Sequence, residues 1–270
     1  MFDIMKGTAI MLDGFIFDGM ESNEYGIACA YFDLAVSMTY EALKTDLSLE
    51  KAAMNNTFFL TSQAYSEPLK YTIQIINKDC SPISPEQERA LNKWLCKRGE
   101  FKPFFIINKR YSDVCFFVNF SNPKIIWINN VNGIEYTVTT NAPYAFSGER
   151  SFTADFNGNN VVSRYIDNDE ELEIYPSMEI TIQENGDFTL TNLSAEGAMN
   201  QFSVKNCVQG EVITVDSKYP ILSSSVQLHF VYNDFNTHWF YFVDGENNIT
   251  SNLRCNIRFN YREYRRMGIL

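Results

Sequence analysis

The chain has 270 residues, a formal charge of −11, and 45% hydrophobic and 15% aromatic residues, among them 22 Phe and 15 Tyr. A chain of this length buries roughly three quarters of its unfolded surface, so neither disulfides nor metals are required for stability, and its wealth of bulky strand-formers excludes disorder and predicts a mainly β fold. The acidic balance is opposite to the basic footprint that grips nucleic acid.

At the N-terminus Asp3 and Asp13 interrupt the only stretch that resembles the start of a signal peptide, and no apolar run approaches the ~20 residues of a membrane helix. The expectation is a soluble product made in the cytoplasm. Residues 11–33, "MLDGFIFDGMESNEYGIACAYFD", hold two alternating apolar stretches separated by Asp/Gly and Ser/Asn turns. Phe15 and Phe17 share a face there, and Gly19 and Gly26 mark bends. Residues 34–56 send mixed signals, with Ala, Leu, Glu and Lys inviting helix and Val and Thr opposing it. "YTIQII" (71–76) reads as a strand.

One helix is predicted over about 85–98, in "SPEQERALNKWLCKRGEF". Ser84 is a good N-cap, Pro85 suits the first helical position, and Gln87 completes a capping box. Ala90, Leu91, Trp94 and Leu95 form an apolar stripe that must lie on a sheet, and Gly99 supplies a left-handed end. Strands follow at "PFFIIN", "VCFFVNF", "KIIWI" and "GIEYTVTTNAPYAFS". The polar passage "SGERSFTADFNGNN" (147–160) places a domain boundary near 150, giving domains 1–150 and 151–270.

The second domain reads as β throughout. In "SMEITIQENGDFTLTNL", Met178, Ile180 and Ile182 face one way, and Asn185-Gly186 suggests a hairpin to Phe188 and Leu190. "GEVITVDSKYPIL" and "SVQLHFVYN" read as strands, and "HWFYFVDGENNI" as a buried central strand apolar on both faces. In "LRCNIRFNY", Leu253, Cys255, Ile257, Phe259 and Tyr261 face in, against Arg254, Asn256, Arg258, Asn260 and Arg262. Strands 8 to 12 residues apart suggest a sandwich.

Chemistry is sparse. His229 and His238 sit in predicted strands far from any nucleophile motif and read as structural. The acidic run 167–173, "DNDEELE", lacks the spacing and glycine of a calcium loop and reads as a solvated turn. Six scattered cysteines show no CxxC pair and read as buried, reduced thiols. No cofactor, metal or catalytic set is expected. The aromatics of 232–242 read first as core and second as a surface for sugars. Arg262, Arg265 and Arg266, flanked by Tyr, Ile and Leu, are candidates for docking onto a neighbouring subunit or partner.

The order of these motifs resembles the distal tail proteins of long-tailed, siphovirus-like bacteriophages. The shared marks are "FIFDGMESNEYGI" with Ser22, Tyr25, Gly26 and Ile27, one helix ending in Trp94-Leu95, and the Pro143-Tyr144-Ala145 element. They continue with "IYPSMEITIQENGDFTLTNLS", "GEVITVD" and "DGENNITSNLRCNIRFNYRE". The resemblance covers nearly the whole chain.

It implies an N-terminal β-sandwich or split barrel with one packed helix, followed by a galectin-like β-sandwich that projects outward. It also implies a non-enzymatic virion protein at the tail tip, made in the host cytoplasm. Such a protein forms a homohexameric ring between the tail-tube protein and the tail-associated hub protein, with DNA only as passing cargo and no membrane insertion. In that setting Ala90, Leu91, Trp94 and Leu95 grip the sheet of the ring wall. Two further readings are a carbohydrate-binding module for a host cell-wall glycan and a tube-forming tail protein.

Overall fold

A computed structural model describes residues 4–5, 9–11, 14–31, 44–52, 57–128, 131–197, 200–217 and 219–268. The fold is mainly β and divides into two units, Met1–Phe146 with Arg266–Leu270, and Ser147–Arg265.

The first unit is built on a nine-stranded antiparallel sheet. Its order is Ile4–Met5, Ala9–Met11, Ile27–Tyr31, Lys70–Asn77, Val131–Thr140, Phe116–Ile128, Lys102–Ile106, Phe15–Phe17 and Met20–Glu21. Alternation puts Tyr136, Val138, Phe120, Phe104, Phe15 and Ile75 into one core, so strands distant in the order meet there. "VCFFVNF" and "KIIWI" prove to be one strand, Phe116–Ile128. A register shift between Ser121 and Lys124 bends it, with Asn122 at φ +51°. Pro123, which has no amide to donate, sits inside that bulge.

Helix α1 runs Pro85–Leu95 and ends a turn earlier than expected, because tertiary contacts claim the residues after it. Asn119 Nδ2 donates to Lys97 O at 3.0 Å, and Lys97 pairs with Asp18. Gly99, at φ +88°, turns the chain toward Lys102–Ile106 and does not cap the helix. Ser84 Oγ accepts the Gln87 amide at 3.2 Å, but Gln87 does not close the reciprocal box. Its side chain pairs with the amide of Asn77, at 2.5 and 3.1 Å.

The mixed segment 34–56 is helical nowhere that it is described; residues 34–43 and 53–56 lie outside the described residues. Thr45–Lys51 is a strand and pairs with Phe58–Tyr65 as a separate hairpin.

The second unit is a sandwich. One sheet orders Arg150–Asn157, Arg254–Tyr261, Ser177–Ile182, Val212–Asp216 and Ile221–Ser224; the other orders Val161–Ile166, Gly245–Ser251, Gly186–Asn192 and Gln201–Cys207. Inward residues of both sheets, such as Ile180, Ile257, Phe259, Phe188, Leu190 and Ile249, close one core. The strand Arg254–Tyr261 alternates as read, with Cys255, Ile257, Phe259 and Tyr261 buried.

The passage 147–160, where the boundary was expected, is mostly strand, since Ala154 and Phe156 bury one side of Arg150–Asn157. Three expectations change here. Asn185-Gly186 joins the two sheets and closes no hairpin. Strand Ser177–Ile182 is already paired on both sides, by Arg254–Tyr261 and Val212–Asp216, which leaves no edge for a neighbour in sequence. "SVQLHFVYN" is a turn followed by the one-turn helix α2, Val231–Asp234. The hydroxyls of Ser224 and Ser225 accept the amides of Val226 and Val212, both at 2.9 Å, and end the strand at Ser224. Finally, residues 238–243 are irregular and make one bridge, Phe242 to Ile174. They are apolar because Phe240 and Phe242 plug the core; the strand begins only at Gly245.

Candidate functional site

The buried face of α1 holds Leu91, Trp94 and Leu95, as the sequence suggests, while Ala90 is solvent-exposed. At 100° per residue Ala90 falls outside the arc centred on Leu91 and Trp94. The indole of Trp94 lies almost parallel to Tyr25 at 4.3 Å and to Phe15 at 5.7 Å, and meets Phe17 edge-on at 6.1 Å. Its Nε1 donates to Phe17 O at 3.4 Å. The seat is made by the segment before it. Buried Ser22 accepts the Phe15 amide at 3.1 Å, and Gly26, at φ +67°, reverses the chain after Tyr25. The Ser22…Tyr25-Gly26 element and the Trp94-Leu95 helix are thus two halves of one contact.

The C-terminal arginines are engaged within the chain. Glu263 is buried, and a buried carboxylate needs paired charge. Arg265 supplies it at 2.6 Å and Arg150 lies at 3.6 Å; Arg265 also reaches Asp167. Arg262 donates to Ser147 O at 2.9 Å. Arg266 is exposed.

The remaining candidates sort by burial. Among 232–242, Phe240, Tyr241 and Phe242 are buried and Trp239 packs on the core, whereas Tyr232 is exposed. The acidic run is a turn but not wholly solvated: Asn168 and Glu170 are buried, and Asn168 Nδ2 donates to the carbonyls of Glu170 and Leu172. Neither histidine lies in a strand; His229 stands just before α2 with its side chain largely buried. None of the six cysteines is in a disulfide; Cys115, Cys207 and Cys255 are buried and Cys29, Cys80 and Cys96 half-buried. Among the described residues no three His, Cys, Asp or Glu side chains are placed to hold a metal ion. An open depression of about 810 Å³ is lined by Ile16, Phe105, Ile107, Asn108, Lys109 and Tyr111 among others, with no acid and no histidine among the described residues of its wall.

The feature that sequence reasoning missed is the hairpin Thr45–Lys51/Phe58–Tyr65. Its register pairs Leu49 with Leu60, Lys51 with Phe58 and Leu47 with Gln63, with a shift between Ser48 and Leu49. That shift keeps Leu47, Leu49, Phe58 and Leu60 on one face, since cross-strand partners share a side. These four are 54–62% exposed. Asp46, Ser48, Glu50 and Ser62 mark the opposite, largely polar face, joined by Phe59. An apolar face of this kind, left in water, marks a surface meant to be covered. At the hairpin's base Tyr65 meets Tyr144 of the Pro143-Tyr144-Ala145 element, ring centroids 5.8 Å apart. A second exposed pair, Ile125 and Trp127, lies on the distal half of strand Phe116–Ile128, beyond the reach of its neighbour Lys102–Ile106.

Comparison with known proteins matches residues 11–142 to a phage tail protein N-terminal domain and residues 144–261 to a phage tail C-terminal domain. The SPbeta prophage-derived uncharacterized protein YomH of Bacillus subtilis (strain 168) is 25% identical over 256 residues, covering 92% of this chain and 96% of the relative. The crystal structure of the SPP1 Dit protein superposes with a TM-score of 0.63 at 9% identity, covering 93% of this chain and 99% of that one. That protein is described as a paradigm of the hub adsorption apparatus in phages infecting Gram-positive bacteria. At such low identity the likeness is one of fold.

Proposed function

We propose, from the premise that the chain belongs to the phage tail protein family whose N-terminal and C-terminal domains it carries, that it is the distal adaptor of a long tail. Six copies close a ring at the tail tip. The ring joins the tail-tube protein to the hub and leaves a channel through which DNA passes. Its role is structural, and its working unit is the assembly.

The observation that carries this reading is the uncovered apolar face of Leu47, Leu49, Phe58 and Leu60. A two-stranded hairpin alone in water is marginal at best, so a neighbour must cover it. A contact between two different surfaces of identical chains closes into a ring when the rotation permits. The fold shared with the SPP1 Dit protein supports the same place in the virion, and a charge of −11 suits a wall that DNA must slide past without sticking.

The test is sedimentation of the wild-type chain beside a Leu49→Ser, Leu60→Ser double variant. The wild type should sediment as a closed oligomer and the variant as a folded monomer. Equal oligomerisation of the two would remove the hairpin from the interface. A second reading, glycan binding by the second unit, is favoured only by the exposed rings of Tyr219, Phe230 and Tyr232. A glycan array probed with the whole chain tests it, and no retained glycan would dismiss it.

A further inference from the structure

Strand Ile221–Ser224 is an edge of the five-stranded sheet, and the chain after it folds back over that edge. The Leu222 amide donates to the Tyr232 hydroxyl at 2.8 Å. An edge amide is the handle by which a foreign strand adds to a sheet, and here it is occupied by a side chain from α2.

Beneath Tyr232 lies an ionic cluster that the proposed function leaves unused. The side chain of His229 is 8% exposed and that of Glu211 fully buried. His229 Nδ1 is 2.5 Å from Glu211 Oε1 and Nε2 is 3.2 Å from Asp234 Oδ2; Nε2 is buried and too poorly aligned to form a hydrogen bond there. Glu211 also accepts the Val208 amide at 3.0 Å and the Ser224 hydroxyl, and Asp234 accepts Asn206 Nδ2 at 3.0 Å. Cys207 and Asp187, from the facing sheet, lie near enough to Glu211 and Asp234 to feel their charge or add to it. Burial, then Glu211, Asp187 and Asp234, push the Cys207 thiol up to about 12, so it stays neutral.

A neutral imidazole has one N–H and one lone pair, whereas imidazolium has two N–H groups. The neutral ring can donate from Nδ1 to Glu211 but carries no charge toward Asp234, whereas the imidazolium both bonds Glu211 and pairs ionically with Asp234 Oδ2 at 3.2 Å. We propose that His229 is a proton-operated latch: its imidazolium, set between Glu211 and Asp234, straps residues 225–234 over the edge of strand Ile221–Ser224, and loss of that proton frees the strap and uncovers the edge.

Acid opens the latch by a different route. Burial disfavours the Glu211 charge, but bonds from Ser224, the Val208 amide and His229 outweigh it and hold the carboxyl below its ordinary 4.5. Its contribution is therefore present above that value and lost as pH falls through the lowered one.

The experiment uses the full chain labelled with 15N-histidine. Two histidines are present, and the Asp234→Asn and His229→Gln variants assign the signals. Both His229 ring nitrogens should carry protons while the strap is closed. As the ring loses its proton, protection of the Leu222 amide against hydrogen exchange should fall at least about tenfold, after correction for intrinsic rates. In Asp234→Asn, whose changed side chain is 25% exposed and spares the core, that fall should come at lower pH. A neutral ring beneath a protected Leu222 amide, or protection indifferent to the ring's titration, would overturn the latch.

Discussion

The indole of Trp94 is held between Tyr25 and Phe15 with its Nε1 on a strand carbonyl, so its removal strips two stacked faces at once and leaves a cavity. Trp94→Ala should lower the unfolding free energy by ~3–5 kcal/mol in urea titrations, whereas Ala90→Ser, on the exposed side of the same helix, should stay within ~0.5 kcal/mol. Equal effects would mean that the helix packs by another face. The seat is equally exacting: a Cβ on Gly14 would lie 2.7 Å from Ser22 Oγ, the acceptor of the Phe15 amide.

Two thiols extend this scale to pH. Burial is the first cause that raises Cys255 from 9.0 to about 11 and Cys207 from 9.0 to about 12. The unfolded chain ionises first, so their contribution to stability is full below pH 9 and is lost as pH climbs through those raised values. Denaturation midpoints should accordingly drop between about pH 9 and 11 in the wild type, and drop less steeply in Cys255→Ala. Residue-scale reading worked where a side chain's neighbours lie close in sequence or share a periodicity, as for Leu91, Trp94 and Leu95. It did not reach the intrachain partners of Arg262 and Arg265, since Ser147, Glu263 and Asp167 are set mostly by the fold, nor that of His229, whose Glu211 lies across a hairpin.

At the scale of elements, the hairpin Thr45–Lys51/Phe58–Tyr65 forms a two-stranded sheet of its own. Among the described residues its strands pair only with each other, and its apolar face lies in water, so in a lone subunit its amides should exchange within seconds to minutes. On assembly they should become protected, and hydrogen exchange across the concentration range of oligomerisation measures the change. Unchanged exchange would place the interface elsewhere. The composition of 34–56 hid this element because Ala, Leu, Glu and Lys argue for helix, although Asp46, Leu47, Ser48, Leu49 and Glu50 already alternate. The supposed Asn185-Gly186 hairpin shows the opposite failure. Its local turn signal was sound, but both edges of Ser177–Ile182 were taken by strands from 30 and 70 residues further along, which no local pattern announces.

Across the whole molecule, 9% identity with a TM-score of 0.63 means that the arrangement of strands is kept while almost every side chain has changed. Alternation and turn signals are written in local sequence, and that is why the ordered motifs were legible. A sister chain leaves no local pattern of its own, so assembly shows only indirectly, as apolar surface with nothing on it. The light-scattering mass of the purified full-length chain bears most directly on the ring. The account predicts about 187 kDa, six times 31.2 kDa, with a central opening in micrographs of the same sample. A mass of 31.2 kDa at every concentration would contradict it.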